Sequence, residues 1–326
     1  MERPCRFGNR RRKHARERET APRMEDSTDL AGYETIAVRR FPDRGHGTED
    51  HDAVVVEEPL EMRLNGDAVA TVMRTPGHDR DLALGFFLAE GIIDQLSDVA
   101  SLAVCGRSDG EESAVGGQLR PTEVLQDIRQ NVVDLRAPGV APRHEHRSFP
   151  VSSSCGVCGK RSIDEVLALI PTSESGRLEQ PGDLAGKRPP IQIPAERLKT
   201  LPEILRAKQD LFRVTGGLHG AALFTLQGEC LVVREDVGRH NAVDKVIGWA
   251  FLEKRLPLSQ QILQVSGRVS FEIVQKAYRA GIPMVTAVSG ISTLAASLAS
   301  QAGVTLVAFL RGESFNVYSH PGRIVV

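Results

Sequence analysis

The chain has 326 residues, of which 41% are hydrophobic and 25% charged, and its formal net charge is −1. These values are ordinary for a soluble globular protein and leave room for two domains. Five cysteines, with no apolar segment after the basic start, argue against a secreted protein with a disulfide framework. Nine Arg or Lys face three Glu in residues 1–23, so we expect residues 1–30 to form a disordered basic tail. Nucleic-acid binding by this tail is a less favoured alternative.

The first half of the chain predicts a β-rich domain, which we place at residues 31–150. Asn65-Gly66 lies between two β-prone runs, and this pair is a strong signal for a two-residue hairpin turn. Gly91 is expected to end the helix that follows. Residues 107–150 give weak strand signals. The predicted elements are strands at 53–56, 60–64, 68–73 and 99–105 and a helix at 81–90.

Residues 151–195 are expected to form a loop, a helix and a linker. The loop carries the motif Cys155-Gly-Val-Cys158. Ser162 and Glu165 have the spacing of a capping box, in which each side chain bonds the backbone of the other at a helix start. Residues 172–195 are rich in Pro, Gly and Ser, which is typical of a surface loop or linker.

From residue 196 onward, strands alternate with helices, and this rhythm predicts an α/β domain at residues 196–326 with parallel strand pairs and helices on both faces. The uncharged run 280–310 is long enough to span a bilayer. Pro283 and three glycines interrupt this run, so we predict a strand, a turn, a helix and a strand in a buried core instead of a membrane span. The predicted helices are 196–213, 241–254, 271–280 and 292–302, and the predicted strands are 221–226, 230–234, 261–265, 284–288, 304–310 and 315–318.

The cysteine pair indicates sulfur chemistry. A thiolate is the nucleophilic form of cysteine, and Lys160 and Arg161 could favour it electrostatically. Gly156 and Gly159 beside the two cysteines permit unusual backbone conformations. In a reducing compartment such as the cytoplasm, a loop of this kind could receive a sulfur atom and hand it on.

Three alternatives for the pair remain open. Two cysteines could be half of a zinc site, although no second Cys-x-x-Cys or His-x-x-x-His is present. A thioredoxin-like dithiol fits less well, because the capping box starts the helix four residues after Cys158. The two cysteines could also be inert. Cys105 and Cys230 lie in apolar strand contexts and are expected in the core, whereas Cys5 lies in the tail.

Four polar turns, at residues 215–219, 235–241, 266–268 and 311–314, lie where strands of the α/β domain end or begin, which is where open α/β sheets bind ligands. Their arginines and backbone amides suit a large anionic, nucleotide-like ligand. Each turn alone could equally be a solvated loop. The candidate ligand-binding side chains of these turns are His219, Arg239, His240, Arg268 and Arg311.

At these residues the sequence resembles the formate dehydrogenase accessory sulfurtransferase family, often called FdhD, over about residues 31–326. The run Glu235–Lys245 is highly specific, whereas Cys-x-x-Cys alone is not. The segments that carry the resemblance are Cys155–Gly159, Thr215–His219, Glu235–Lys245, Ser266–Arg268 and Phe309–Ser314.

The resemblance implies a transferase that accepts persulfide sulfur from a cysteine desulfurase. It would deliver this sulfur to the molybdenum (or tungsten) bis(pterin guanine dinucleotide) cofactor, also called Mo-bis(molybdopterin guanine dinucleotide), destined for formate dehydrogenase. Cys155 would carry the persulfide and Cys158 would assist. The family's cofactor-binding segment would correspond to Phe309, Leu310, Arg311, Gly312, Glu313 and Ser314, and further contacts are expected from His219, Arg239, His240 and Arg268.

The implied fold class is α/β with an α+β N-terminal part. A C-terminal three-layer, cytidine-deaminase-like domain would follow a smaller β-rich N-terminal domain. The resemblance also implies a cytoplasmic homodimer, not bound to membrane or nucleic acid, with no tightly held metal of its own. The deaminase zinc signature is absent from the sequence, so deamination is not expected.

The chain departs from the family at Ser289–Thr293, where a proline is expected before the threonine, and in the tail and residues 172–195. Two other functions remain as alternatives: a non-catalytic chaperone for the cofactor, and a zinc-stapled binding module.

Overall fold

The computed structural model describes residues 32–41, 45–105, 131–140, 150–151 and 191–326. The basic tail, the loop with Cys155 and Cys158, the helix expected after it and most of the linker lie outside the described residues. The side chain of Cys105 is also outside them.

The N-terminal strands form two sheets. The strands β1 and β2 make an exposed antiparallel ribbon, of which the sequence indicated the second half of β2 and not β1. The other sheet has the order β5-β6-β3-β4-β7. The bounds are β1 (Tyr33–Arg40), β2 (Thr48–Val55), β3 (Glu58–Leu64), β4 (Asp67–Arg74), β5 (Ser101–Cys105), β6 (Val132–Arg136) and β7 (Pro150–Val151).

The hairpin expected at Asn65-Gly66 joins β3 to β4. Asn65 has φ 56° and Gly66 has φ 98°, the positive values that a tight primed turn requires. Leu60, Met62 and Leu64 alternate along β3 and are buried, because successive side chains of a strand point to opposite faces.

The first helix, α1 (Asp79–Ala89), follows β4 and starts two residues before the expected position. Its first residue, Asp79, forms a buried ion pair that the sequence did not predict. The guanidinium group of Arg74 donates to both carboxylate oxygens of Asp79, at 3.0 and 2.9 Å. Gly91 has φ 69° and follows the helix end, as expected. A short 3₁₀ turn, Leu96–Asp98, then leads to β5.

The C-terminal part is built on a six-stranded sheet with the order β10-β9-β11-β12-β13-β14. As the alternation of elements predicted, β11, β12 and β13 are parallel, but β9, β10 and β14 run antiparallel to their neighbours. The six strands are β9 (His219–Thr225), β10 (Cys230–Asp236), β11 (Gln261–Val265), β12 (Met284–Ala287), β13 (Thr305–Arg311) and β14 (Ser314–Ser319). Two short strands, β8 (Ile193–Pro194) and β15 (Ile324–Val325), form a separate parallel pair.

Five further helices accompany this sheet in the described chain. The helix predicted at 196–213 is two helices, because the Glu235 carboxylate accepts the backbone N–H groups of Leu211 and Phe212 at 3.0 and 2.9 Å and so starts a second one. The bounds are α2 (Ala195–Ala207), α3 (Asp210–Thr215), α4 (Arg239–Leu252), α5 (Phe271–Arg279) and α6 (Thr293–Gln301). None of the helices in the described ranges is long and apolar enough to cross a membrane.

Two hydrophobic cores flank the six-stranded sheet. The first contains residues of α1, α4, α5 and α6 and reaches the N-terminal five-stranded sheet. The second lies on the opposite face, beneath α2, and Cys230 packs against it in a half-buried position. The mixed α/β class is therefore confirmed. The cytidine-deaminase likeness and the exact domain boundaries stay predictions.

Helices α1 and α4 cross at two glycines. A Cβ atom on Gly85 would lie 1.9 Å from the carbonyl oxygen of Asp244, and one on Gly248 would lie 1.8 Å from that of Asp81. No side chain larger than hydrogen fits at such separations. The two backbones are therefore in direct contact, and this contact joins the N-terminal and C-terminal parts of the chain.

Candidate functional site

The sheet topology places the four polar turns at one edge of the six-stranded sheet. The parallel strands β11, β12 and β13 end at this edge. Because β9 runs antiparallel to β11, it begins there, and β10 ends there with Asp236 opposite His219. We call this edge the rim; it comprises residues 215–219, 235–241, 266–268, 288–290 and 309–314.

His219 is the first residue of β9 and lies opposite Asp236 of β10 on the rim. Burial lowers the pKa of His219, and the charges of Arg239 and Arg268 lower it further, while Asp236 opposes them. The imidazole is therefore neutral at neutral pH. Gly267 allows the crowding around it, since a Cβ atom there would lie 3.2 Å from Nδ1 of His219 and 3.7 Å from Cβ of Arg239.

Three arginines lie on the rim, as the sequence suggested. Arg268 is exposed, and within the described chain no hydrogen bond or ion pair of its guanidinium group is found. Arg239 is half-buried at the start of α4. Arg311 is exposed and donates from Nε to the carbonyl oxygen of Val288 at 2.7 Å. Guanidinium groups in such positions suit phosphate oxygens.

Phe309 is the first residue of the segment that the family resemblance matches to cofactor binding. It has φ 53°, although its side chain is aromatic, and 43% of it is exposed. The strand pairing of β13 with β14 is irregular here, and such bulges redirect side chains. The ring lies against Gly290, where a Cβ atom would be 3.0 Å from Cζ. The result is an exposed aromatic face at the rim.

The rest of this segment is divided between the core and the surface. Leu310 is fully buried in the second core. Arg311, Gly312, Glu313 and Ser314 are exposed, and Glu313 pairs with Lys199 of α2 at 2.9 Å. The structure thus offers the Arg311 side chain and the turn backbone to a ligand, and the role of the segment stays a prediction.

His240 is a buried residue of the rim and is 4% exposed. Its Nε2 is 2.9 Å from Oγ of Ser270 and 3.3 Å from Oε2 of Glu272. Burial raises the pKa of Glu272, against the effect of Lys276. The imidazole of His240 therefore contacts other residues of the protein. The direct contact with a ligand that the sequence suggested stays a prediction.

The remaining polar residues of the Glu235–Lys245 run are mostly structural, a role that sequence reasoning did not assign. Asp236 lies 2.8 Å from Nζ of Lys245 and accepts from Nδ2 of Asn241 at 2.9 Å. Lys245 also donates to the carbonyl oxygen of Thr75 at 2.9 Å, and Asn241 to that of Met73 at 2.8 Å. These contacts fasten the end of β4 to the rim. The sequence spacing of the run held no signal for partners about 170 residues away.

Cys155 and Cys158 lie outside the described residues, so their position relative to the rim is not part of the structure. Among the residues that are described, no group of three or more His, Cys, Asp or Glu side chains could hold a metal ion. The sulfur-carrier and zinc interpretations of the cysteine pair both stay predictions.

Comparison with known proteins gives consistent results. The sequence matches the FdhD/NarQ family over residues 55–325. It is 49% identical over 276 residues to the sulfur carrier protein FdhD of Mycobacterium tuberculosis, covering 84% of this chain and 92% of that protein. It is 39% identical over 280 residues to the sulfur carrier protein FdhD of Sulfolobus acidocaldarius, covering 86% and 94%.

A crystal structure from Desulfotalea psychrophila, provisionally described as a formate dehydrogenase accessory protein, is similar in fold. It has a TM-score of 0.61, covers 90% of this chain and all of that one, and shares 22% of its residues. At that identity the likeness concerns the fold alone.

Proposed function

This chain belongs to the FdhD/NarQ family, and we propose that it is a sulfurtransferase that carries sulfur on Cys155 for the maturation of formate dehydrogenase. The acceptor would be the molybdenum bis(pterin guanine dinucleotide) cofactor. Family membership supports the sulfur-carrier role. The observation that carries the choice of acceptor is the group of two guanidinium side chains, Arg239 and Arg268, around the neutral imidazole of His219.

Sulfur would enter by thiol–persulfide exchange. The thiolate of Cys155 attacks the terminal sulfur of a persulfide on a cysteine desulfurase. A new S–S bond forms on Cys155, the S–S bond of the donor breaks, and the donor cysteine leaves as a thiolate. This exchange conserves electrons, so it needs neither an oxidant nor a reductant.

Sulfur would leave with the assistance of Cys158. Its thiolate attacks Sγ of Cys155, the persulfide bond breaks, and the terminal sulfur departs as hydrosulfide to the metal of the substrate cofactor. The two cysteines become a disulfide, losing two electrons as the transferred sulfur gains two. A cellular dithiol reductant then restores both thiols.

The rim would hold the acceptor during this step. A guanine dinucleotide carries phosphates, which suit the guanidinium groups of Arg239, Arg268 and Arg311. It also carries flat ring systems, and the exposed face of Phe309 suits stacking against one of them. His219, being neutral, can accept or donate a hydrogen bond without adding a charge.

Mass spectrometry tests the proposal directly. The protein is incubated with a cysteine desulfurase and cysteine, and the peptide containing Cys155 is analysed without reductant. We expect one added sulfur atom on Cys155, and none on the corresponding peptide of Cys155→Ala. Folded wild-type protein that acquires no sulfur would contradict the sulfur-carrier role.

Two further expectations from the family resemblance, a homodimer and a cytoplasmic location, stay predictions.

A further inference from the structure

We propose that His240 is a positioning residue: it ties the start of α4, which carries Arg239, to the segment Ser266–Ser270, which carries Arg268. In this way it sets the spacing of the two guanidinium groups. The inference rests on the proposed function, since it concerns how the rim receives the phosphates of its ligand.

The contacts of His240 bridge two separate elements. The residue belongs to α4 and immediately follows Arg239, whereas its ring nitrogen Nε2 lies 2.9 Å from Oγ of Ser270 and 3.3 Å from Oε2 of Glu272. Ser270 is the residue before α5, two positions after Arg268. A shift of the imidazole therefore changes the distance between the two arginine-bearing backbones.

Buried charged side chains of α4 and α5 hold Glu272 in place beside His240. Nζ of Lys276 lies 2.8 Å from Oδ1 of Asp244 and 3.7 Å from Oε1 of Glu272. Burial opposes the charge on Lys276, but the carboxylates of Asp244, Glu272 and nearby Glu90 outweigh it and raise the pKa of this ammonium group. Lys276 therefore stays charged and holds Glu272 in reach of His240.

Stability alone is a weak reason for such a cluster. The side chains of His240, Asp244, Glu272 and Lys276 are all no more than 7% exposed. Removing charges from water costs several kcal/mol per ion, and buried ion pairs are often no more stabilising than apolar side chains. Buried titratable groups under a ligand site more often serve to orient or tune it.

The experiment measures the affinity for guanosine diphosphate by calorimetry at neutral pH and the stability of each protein by thermal unfolding. The full-length proteins compared are the wild type, His240→Ala, His240→Gln and Ser270→Ala. Glutamine can keep a hydrogen bond to Ser270, whereas alanine cannot. His320→Gln is the matched control, because Nε2 of His320 binds the Ser300 carbonyl oxygen at 3.0 Å, away from the rim.

We expect His240→Ala and Ser270→Ala to weaken binding by about tenfold. His240→Gln should bind nearly as the wild type does. A histidine that only stabilised the fold would lower the unfolding temperature of His240→Ala without weakening binding by the folded protein. Wild-type affinity in His240→Ala, or a loss in His240→Gln as large as in His240→Ala, would overturn the inference. If His240→Ala does not fold, the glutamine and serine variants decide. Absence of binding by the wild type would instead contradict the proposed acceptor site.

Discussion

The carboxylate of Asp236 lies 2.8 Å from the ammonium group of Lys245, and neither side chain is more than 1% exposed. The same carboxylate accepts the backbone N–H groups of Gly238 at 2.8 Å and Thr75 at 3.2 Å. This pair therefore holds the rim to the end of β4. It also gives a structural role to the acidic and the basic residue near the ends of the run Glu235–Lys245, which carries the family resemblance most specifically.

Asp236→Asn should destabilise the protein by about 3 kcal/mol or more, because it leaves a buried ammonium group without its charge partner. Urea unfolding followed by circular dichroism measures the loss. The double variant Asp236→Asn with Lys245→Met should recover part of it, since both charges are then gone. A single variant as stable as the wild type would show that the pair does not hold the rim.

Much of the fold could be predicted from the sequence. Elements that depend on neighbouring residues were predicted, whereas elements that depend on distant residues were missed. Asn65-Gly66 located its hairpin because the turn needs positive φ at both residues. The strand Gln261–Val265 has the predicted bounds. The break between α2 and α3 was missed because it depends on Glu235, more than twenty residues away, and β1 was missed because its side chains are exposed on both faces.

The candidate site was predictable as a set of turns but not as a set of roles. The alternation of strands and helices indicated that polar turns would gather at strand ends, and the rim contains His219, Arg239 and Arg268. Sequence could not show that the His240 side chain is buried or that Asp236 binds Lys245. Those roles depend on which residues the fold places in contact across long separations.

Cys155→Ala should abolish formate dehydrogenase activity in cells that depend on this protein, and Cys158→Ala should reduce it less. The reason is that an external thiol can replace Cys158 in releasing the persulfide sulfur, whereas nothing replaces the carrier. Formate oxidation in extracts measures both. If a variant lacking both cysteines still supports the enzyme, the chaperone alternative is favoured. Bound zinc that is lost on Cys155→Ser would favour the zinc-stapled module.

Arg268→Ala and Arg239→Ala should each weaken the binding of guanosine diphosphate by about tenfold, since each removes a charge-assisted contact with phosphate. Binding by the wild type should also weaken as salt concentration rises. Calorimetry measures both effects. Arg255→Ala is the control, because Arg255 stacks on Trp249 beyond the far end of α4, at 5.2 Å from the ring centroid. Equal losses in all three variants would argue against a specific site.

Phe309→Gly should be more stable than Phe309→Ala, the reverse of the usual order for these residues. At φ 53° the alanine Cβ is strained, and glycine avoids a cost of about 1 kcal/mol. Both variants lose the ring, so both should bind guanosine diphosphate more weakly by a similar factor. Thermal unfolding and calorimetry separate the two effects. If the variants bind as the wild type does, Phe309 is not a stacking surface.

Glu272→Gln should become more stable relative to the wild type as the pH rises above about 4.5, the ordinary pKa of a glutamate side chain. Burial raises the pKa of Glu272, so the folded wild type binds more protons than the unfolded chain and loses stability as they are released. Urea unfolding of both proteins at several pH values gives the difference. A difference that is constant with pH would show that this carboxyl group does not titrate differently on folding.

The two glycines at the crossing of α1 and α4 restrict how sequences of related proteins can be recombined. Since each backbone occupies the space where the other would carry a methyl group, a chimera must inherit Gly85 and Gly248 together with matching helix positions. If the N-terminal sheet and α1 are exchanged between relatives, folding of the chimera therefore depends first on this contact between α1 and α4. Differences in the turns of the rim matter only for chimeras that fold.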